Sequence, residues 1–141
     1  MKKVLAFTAL FFSSLVWAES TPYGTPPALS TLPHEIIAQV TNAPNPFDSR
    51  RGGIDGETRI SYWLASNYSV QVTLYDLLGS RVCRWTFQPG QEGGRSGVNS
   101  VRWDGVNEAG QKVAKGGYIA QIEVEAGTTV ATVFRKIGVL H

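Results

Sequence analysis

The stretch Val70-Gln71-Val72-Thr73-Leu74-Tyr75-Asp76-Leu77-Leu78-Gly79-Ser80-Arg81-Val82-Cys83-Arg84-Trp85-Thr86-Phe87 decides the fold. Its apolar residues recur every second position on both sides of a short Leu-Leu-Gly-Ser turn. A period of two sends alternate side chains to opposite faces of a strand, so the segment reads as a β-hairpin with one buried face. Val70, Val72 and Leu74 point inward from Val70 to Tyr75, and Cys83, Trp85 and Phe87 share a face from Arg81 to Phe87. Cys83 is the chain's one cysteine. It cannot form an intrachain disulfide, and its place in the alternation makes it a small buried hydrophobe.

Similar runs lie on either side. Ile36 to Asn42 is a first strand, ended by the two prolines of Ala43-Pro44-Asn45-Pro46-Phe47, which remove amide donors and fix φ. Glu57 to Leu64 is a second, with Ile60, Tyr62 and Leu64 facing one way. After the hairpin comes Gln88 to Gly97, a glycine-rich loop expected to be mobile, and then a strand from Val98 to Trp103. A long turn from Asp104 to Gly117 leads to a last hairpin, Tyr118 to Glu125 with Thr128 to Val139, joined across Ala126-Gly127. No segment carries a sustained helical apolar pattern. About seven strands at this spacing predict an all-β fold, an Ig-like or fibronectin III-like β-sandwich.

The amino-terminal end is of another kind. Lys2 and Lys3 precede an apolar run from Val4 to Phe12, and Val16-Trp17-Ala18 offers the small-residue close that a signal peptidase reads. Residues 1–18 are therefore expected to be a cleaved export signal. The run falls short of the roughly 20 residues needed to span a bilayer. Residues 19–35, with Pro22, Pro26, Pro27 and Pro33, read as an extended Pro-rich linker, and residues 36–141 as the folded domain. The chain carries 13 Lys and Arg against 11 Asp and Glu, and two of the 13 are Lys2 and Lys3. Without them the charge balances, which removes the basic footprint that nucleic acid or an anionic membrane would require.

Four blocks carry a family resemblance: Ala43-Pro44-Asn45-Pro46-Phe47, Val72-Thr73-Leu74-Tyr75-Asp76-Leu77-Leu78-Gly79, Val101-Arg102-Trp103-Asp104-Gly105 and Ala114-Lys115-Gly116-Gly117-Tyr118. Their order and spacing resemble the FlgD-type Ig-like domain of flagellar hook-capping proteins, and are also similar to the C-terminal sorting domains of type IX secretion cargo. The resemblance covers about residues 40–141. It implies an Ig-like sandwich and a role in extracellular assembly or attachment. Hook-capping proteins leave through the flagellar channel, whereas this chain opens on a cleavable signal, and no cargo domain accompanies a tail that otherwise looks like the basic-then-apolar close of a sorting domain.

No catalytic constellation emerges. The two histidines, His34 and His141, stand in the linker and at the chain end, and no paired acids or nucleophile with an oriented base can be assembled. The turn holding Asp104, Gly105, Asn107 and Gly110 offers oxygen ligands of the type calcium takes, but not at the alternate positions of an EF-hand loop. It reads instead as a structural turn in which Asp104 and Asn107 bond backbone amides, with no metal and no cofactor.

The surface offers two candidate contact regions. Trp63 alternates with Tyr62 and Leu64, so it stands with Arg59 on the outer face of its sheet, where a large aromatic marks a contact. The last strand is apolar on both faces at Val130, Val133, Phe134 and Ile137 and is expected at a sheet edge, open to another chain. The expectation is thus an exported, non-enzymatic structural or protein-interaction module of a bacterial envelope or surface assembly. Its partners are envelope proteins or a second copy of itself. A sugar-binding module and a minimal carrier of a type IX-like sorting domain are the alternatives.

Overall fold

The computed structural model describes residues 32–141. The export signal and residues 19–31 of the linker lie outside the described residues. Pro33–Ile36 forms a single helical turn, α1, and the strands follow in chain order: β1 Ile37–Ala43, β2 Thr58–Leu64, β3 Ser69–Asp76, β4 Arg81–Phe87, β5 Gly97–Trp103, β6 Gly116–Ala126 and β7 Thr129–Val139. They make two antiparallel sheets, β1-β2-β5 and β4-β3-β6-β7, so the all-β sandwich expected from the sequence is the fold.

Alternation accounts for the layers. In β2, every second residue from Thr58 to Leu64 is buried, and Val70, Val72 and Leu74 of β3 face it across the core with Ile122 and Val124 of β6. One end of the core is closed by three aromatic rings. Phe47 meets Trp103 edge to face at 5.6 Å, and Trp103 meets Tyr118 in the same way at 5.3 Å. Such contacts add to the large apolar area that each ring buries.

Four details depart from the sequence reading. Residues 33–35, assigned to the linker, belong to α1, because proline is compatible with a helix's first turn, where its missing N–H costs nothing. β1 carries a bulge between Ala38 and Thr41, with Gln39 at φ 51°, which lets Ile37 and Val40 both turn inward although they are three apart. The last hairpin turns at Gly127-Thr128, one residue later than expected, since Ala126 pairs with Thr129 and Gly127 takes the positive φ.

The fourth departure is the glycine-rich loop, which is tied to the core rather than free. Tyr62 Oη donates to the Gly93 carbonyl at 2.7 Å, Gly93 N donates to Asn99 Oδ1, and Tyr68 N donates to the Gly94 carbonyl. Gly93, Gly94 and Asn99 are all buried.

The Pro-containing connection after β1 is anchored across the sandwich. Asn45 acts as a backbone mimic: its amide donates to the Lys136 carbonyl and its carbonyl oxygen accepts from Gly138 N. Phe47 N then donates to the Gly138 carbonyl, Leu140 N donates to the Phe47 carbonyl, and Phe47 forms a parallel bridge with Val139. The two sheets are thereby joined along one side, between β1 and the second half of β7.

Burial also sets a limit at high pH. It pushes the Cys83 thiol from its ordinary value of 9.0 up to about 12, with the Glu108 and Asp104 carboxylates adding to the effect. Tyr62 is likewise raised by burial. The folded state therefore favours the neutral forms, so their contribution is complete below the ordinary values and is lost as pH rises above them. The melting temperature is expected to fall steadily as pH rises beyond 9.0, the ordinary thiol value. In Cys83→Ala the early part of that fall should be smaller than in the wild type, as thermal melts across the range would show.

Candidate functional site

β2 is the central strand of its sheet, so its outward residues are flanked on both sides. Trp63 lies between Ala38 of β1 and Val98 of β5, Ser61 between Thr41 and Ser100, and Arg59 between Ala43 and Arg102. Trp63 is half-buried, and its neighbour Val98 is 67% exposed. The middle row is made of small side chains and leaves low relief. Past it, Arg59 borders a hollow of about 260 Å³ lined also by Ala43, Pro44, Ile54 and Glu57. Ile54 is 72% exposed there, and Glu57 lies 3.7 Å from the Arg102 guanidinium. At the strand rise of roughly 3.4 Å per residue, Trp63 and Arg59 mark the ends of a strip about 14 Å long.

The outer face of the other sheet is different. Its rows run Thr86, Gln71, Glu123, Thr132 and Arg84, Thr73, Gln121, Phe134. Gln71 Nε2 donates to Glu123 and Arg84 Nε to Thr73 Oγ1, so polar groups on that face satisfy one another. A hollow of about 200 Å³ lies there between Ser69, Gln71, Thr86, Glu123, Glu125 and Val130. Both hollows are smaller than the pockets of roughly 300–1,000 Å³ that usually enclose small molecules.

Val130 and Phe134 stand on the outer face of β7 at 58% and 57% exposure, whereas Val133 and Ile137 of the same strand turn toward the core. In the turn after β5, Asn107 Oδ1 accepts from Ala109 N and Gln111 N, and Gly110 N donates to the Asn107 carbonyl. Asp104 does not share that role: its exposed carboxylate accepts no hydrogen bond among the described residues, and its backbone carbonyl takes the Lys112 ammonium instead. Gly105 is needed for packing, with φ 74° and only 2.7 Å between an added Cβ and that of Ser49. Ser49 Oγ in turn donates to the His141 carbonyl. Trp63 and Arg59 thus share one face, and Val130 and Phe134 share another.

Two contributors to the first face, Val98 and Ile54, were not singled out from the sequence. Val98 was available from the alternation with Val101 and Trp103, which sends it outward. Ile54 was not, because it sits on a 3-10 turn, Gly53–Gly56, with no period to read. Among the described residues no group of three or more His, Cys, Asp or Glu is gathered, and no helix is long and apolar enough to cross a membrane.

Comparison with solved structures shows the same fold elsewhere. Latent PorU from Porphyromonas gingivalis is similar at a TM-score of 0.56 and 18% identity, over 73% of this chain and 9% of PorU. FlgD from P. aeruginosa is similar at 0.51 and 19% identity, over 72% of this chain and 70% of that one. The chain therefore spans under a tenth of PorU. The FlgD-type Ig-like fold implied by the four motifs is the fold observed. No family model matches the chain, and no curated protein matches it in sequence.

Proposed function

We propose that this protein is an exported, non-enzymatic interaction module that holds a protein of the bacterial envelope or cell surface against the outer face of the β1-β2-β5 sheet. The observation that carries the proposal is the composition of that face. A half-buried Trp, an exposed Val and an exposed Ile flank a smooth row of Ser and Thr, with Arg59 and Arg102 at one end. Aromatic and Arg side chains supply most of the energy in protein interfaces, and low relief suits a protein partner better than a buried small molecule. The likeness of fold to FlgD and PorU and the four motifs support an assembly role, and the Lys2-Lys3 signal supports export.

Capture of envelope proteins by the purified protein tests this. Trp63→Ala should weaken retention by about tenfold or more, since truncation of an aromatic anchor costs roughly 2 kcal/mol. Arg84→Ala, on the polar face of the other sheet, should leave it unchanged. Retention that is equal in Trp63→Ala and the wild type would reject the assignment. Retention on a polysaccharide in place of protein would move the face to sugar binding, where a Trp serves as a stacking platform.

A further inference from the structure

β7 is an edge strand whose two halves are treated differently. Its odd-numbered residues bond to β6, because Ala126 and Thr129 close a two-residue hairpin, so the even-numbered ones turn their N–H and C=O groups outward. Along the second half these outward groups are occupied, the Lys136 N–H excepted. The Lys136 carbonyl accepts from Asn42 and Asn45, Gly138 N donates to Asn45, and the Gly138 carbonyl accepts from Phe47 N. Along the first half, the backbone groups of Val130 and Thr132 and the Phe134 N–H meet no partner among the described residues, and the Phe134 carbonyl takes only the Arg135 guanidinium. The side chains there are the exposed Val130 and Phe134, with Thr132 between them.

We infer that this open half of β7 pairs antiparallel with the same half of a second copy of the chain, joining two four-stranded sheets into one. The segment is self-complementary about Thr132. With Thr132 opposite Thr132 of the second copy, each Val130 faces a Phe134, and the outward groups of all three residues meet as hydrogen-bonded pairs. Aromatic and β-branched residues are a favourable cross-strand pair. Both signs of charge lie beside the paired segment. Glu125 flanks Val130 on β6, Lys136 follows Phe134 by two positions, and neither has an ion-pair partner among the described residues. In the joined sheet the β7 of the second copy stands between each Lys136 and that copy's Glu125, so opposite charges flank the paired segment without meeting across it. The Asn45 and Pro46 connection ends the open edge, so pairing stops where the strand is already capped.

Three paired residues per chain bury far less than the roughly 1,200 Å² of a stable complex, so the dimer is weak. Analytical ultracentrifugation of the purified protein should show a reversible dimer at millimolar concentration. Thr132→Pro removes only an outward N–H and should weaken the dimer by at least about tenfold while the melting temperature stays close to wild type. The register is tested by charge. Val130→Lys with Phe134→Lys, and Val130→Glu with Phe134→Glu, should each be monomeric alone and should form a 1:1 dimer when mixed. A wild type that stays monomeric at 1 mM, a dimer indifferent to Thr132→Pro, or a mixture that does not associate would overturn the inference. So would concentration-independent protection of the Val130 and Thr132 amides, which would place a segment of the same chain on the edge. Trp63→Ala should dimerise normally, so loss of envelope capture and loss of dimerisation report on separate surfaces.

Discussion

Trp103→Ala is expected to lose about 3–5 kcal/mol of stability, the cost of deleting a buried aromatic ring, out of a total of roughly 5–15 kcal/mol for a domain of this kind. Trp103 lies between Phe47 and Tyr118 and touches both edge to face. Its Nε1 also donates to the Val106 carbonyl at 2.9 Å, which holds the start of the turn between β5 and β6. The alanine variant therefore opens a cavity at the end of the core and releases the turn together. Trp103→Phe separates the two effects, since it retains most of the packing and leaves only the Val106 carbonyl without its partner, at about 1–3 kcal/mol. Denaturant unfolding of the three proteins would establish the order wild type, phenylalanine, alanine. An alanine variant as stable as the phenylalanine variant would show that the ring cluster is not what closes this end.

The next largest effect is expected at Gly94. A Cβ at that position would stand 2.4 Å from the Gln88 carbonyl oxygen and 2.7 Å from that of Tyr68, both backbone atoms that cannot swing aside. Gly94 also accepts hydrogen bonds from Tyr68 N and Gly90 N, so moving it breaks the loop's internal ladder. Gly94→Val should cost about 3 kcal/mol, at the upper end of what forced overpacking costs. Hydrogen exchange would place the damage: amides of the loop should exchange fast while those of β6 remain protected. Uniform loss of protection across both sheets would mean that the loop is part of the cooperative core. By contrast, Gly79→Ala should be milder, for only its φ of 86° opposes a side chain and nothing lies within 4 Å.

What the sequence reveals depends on the distance over which the deciding interaction acts. β2 was legible because its burial follows the alternation residue by residue, and β3 and β4 because their apolar residues alternate, although Thr73 on the outer face of β3 is buried too; Trp63 faces away from Tyr62 for the same local reason. The bulge in β1 was not, since it resolves a conflict between Ile37 and Val40 that appears only once both must reach one core. The loop from Gln88 to Gly97 looked free because its glycines are local facts. Its restraints are Tyr62 and Asn99, supplied by β2 and β5. Asp104 and Asn107 look alike in the sequence, yet only Asn107 is aimed at the amides of its own turn. The open half of β7 is the clearest such case, for the edge can be read from strand order, whereas its plugging by Asn42, Asn45 and Phe47 follows from the way the chain crosses between the sheets.

The partner-binding role of the β1-β2-β5 face is tested most directly by a photo-crosslinking side chain introduced at position 63 in cells that export the protein. A second protein carries the same group at Gln71, on the polar face of the other sheet. Crosslinking from position 63 to one discrete envelope protein, weakened by Arg59→Ala and absent from position 71, is the predicted result. Equal crosslinking from both positions, or none from position 63 while the protein is exported and folded, would contradict it.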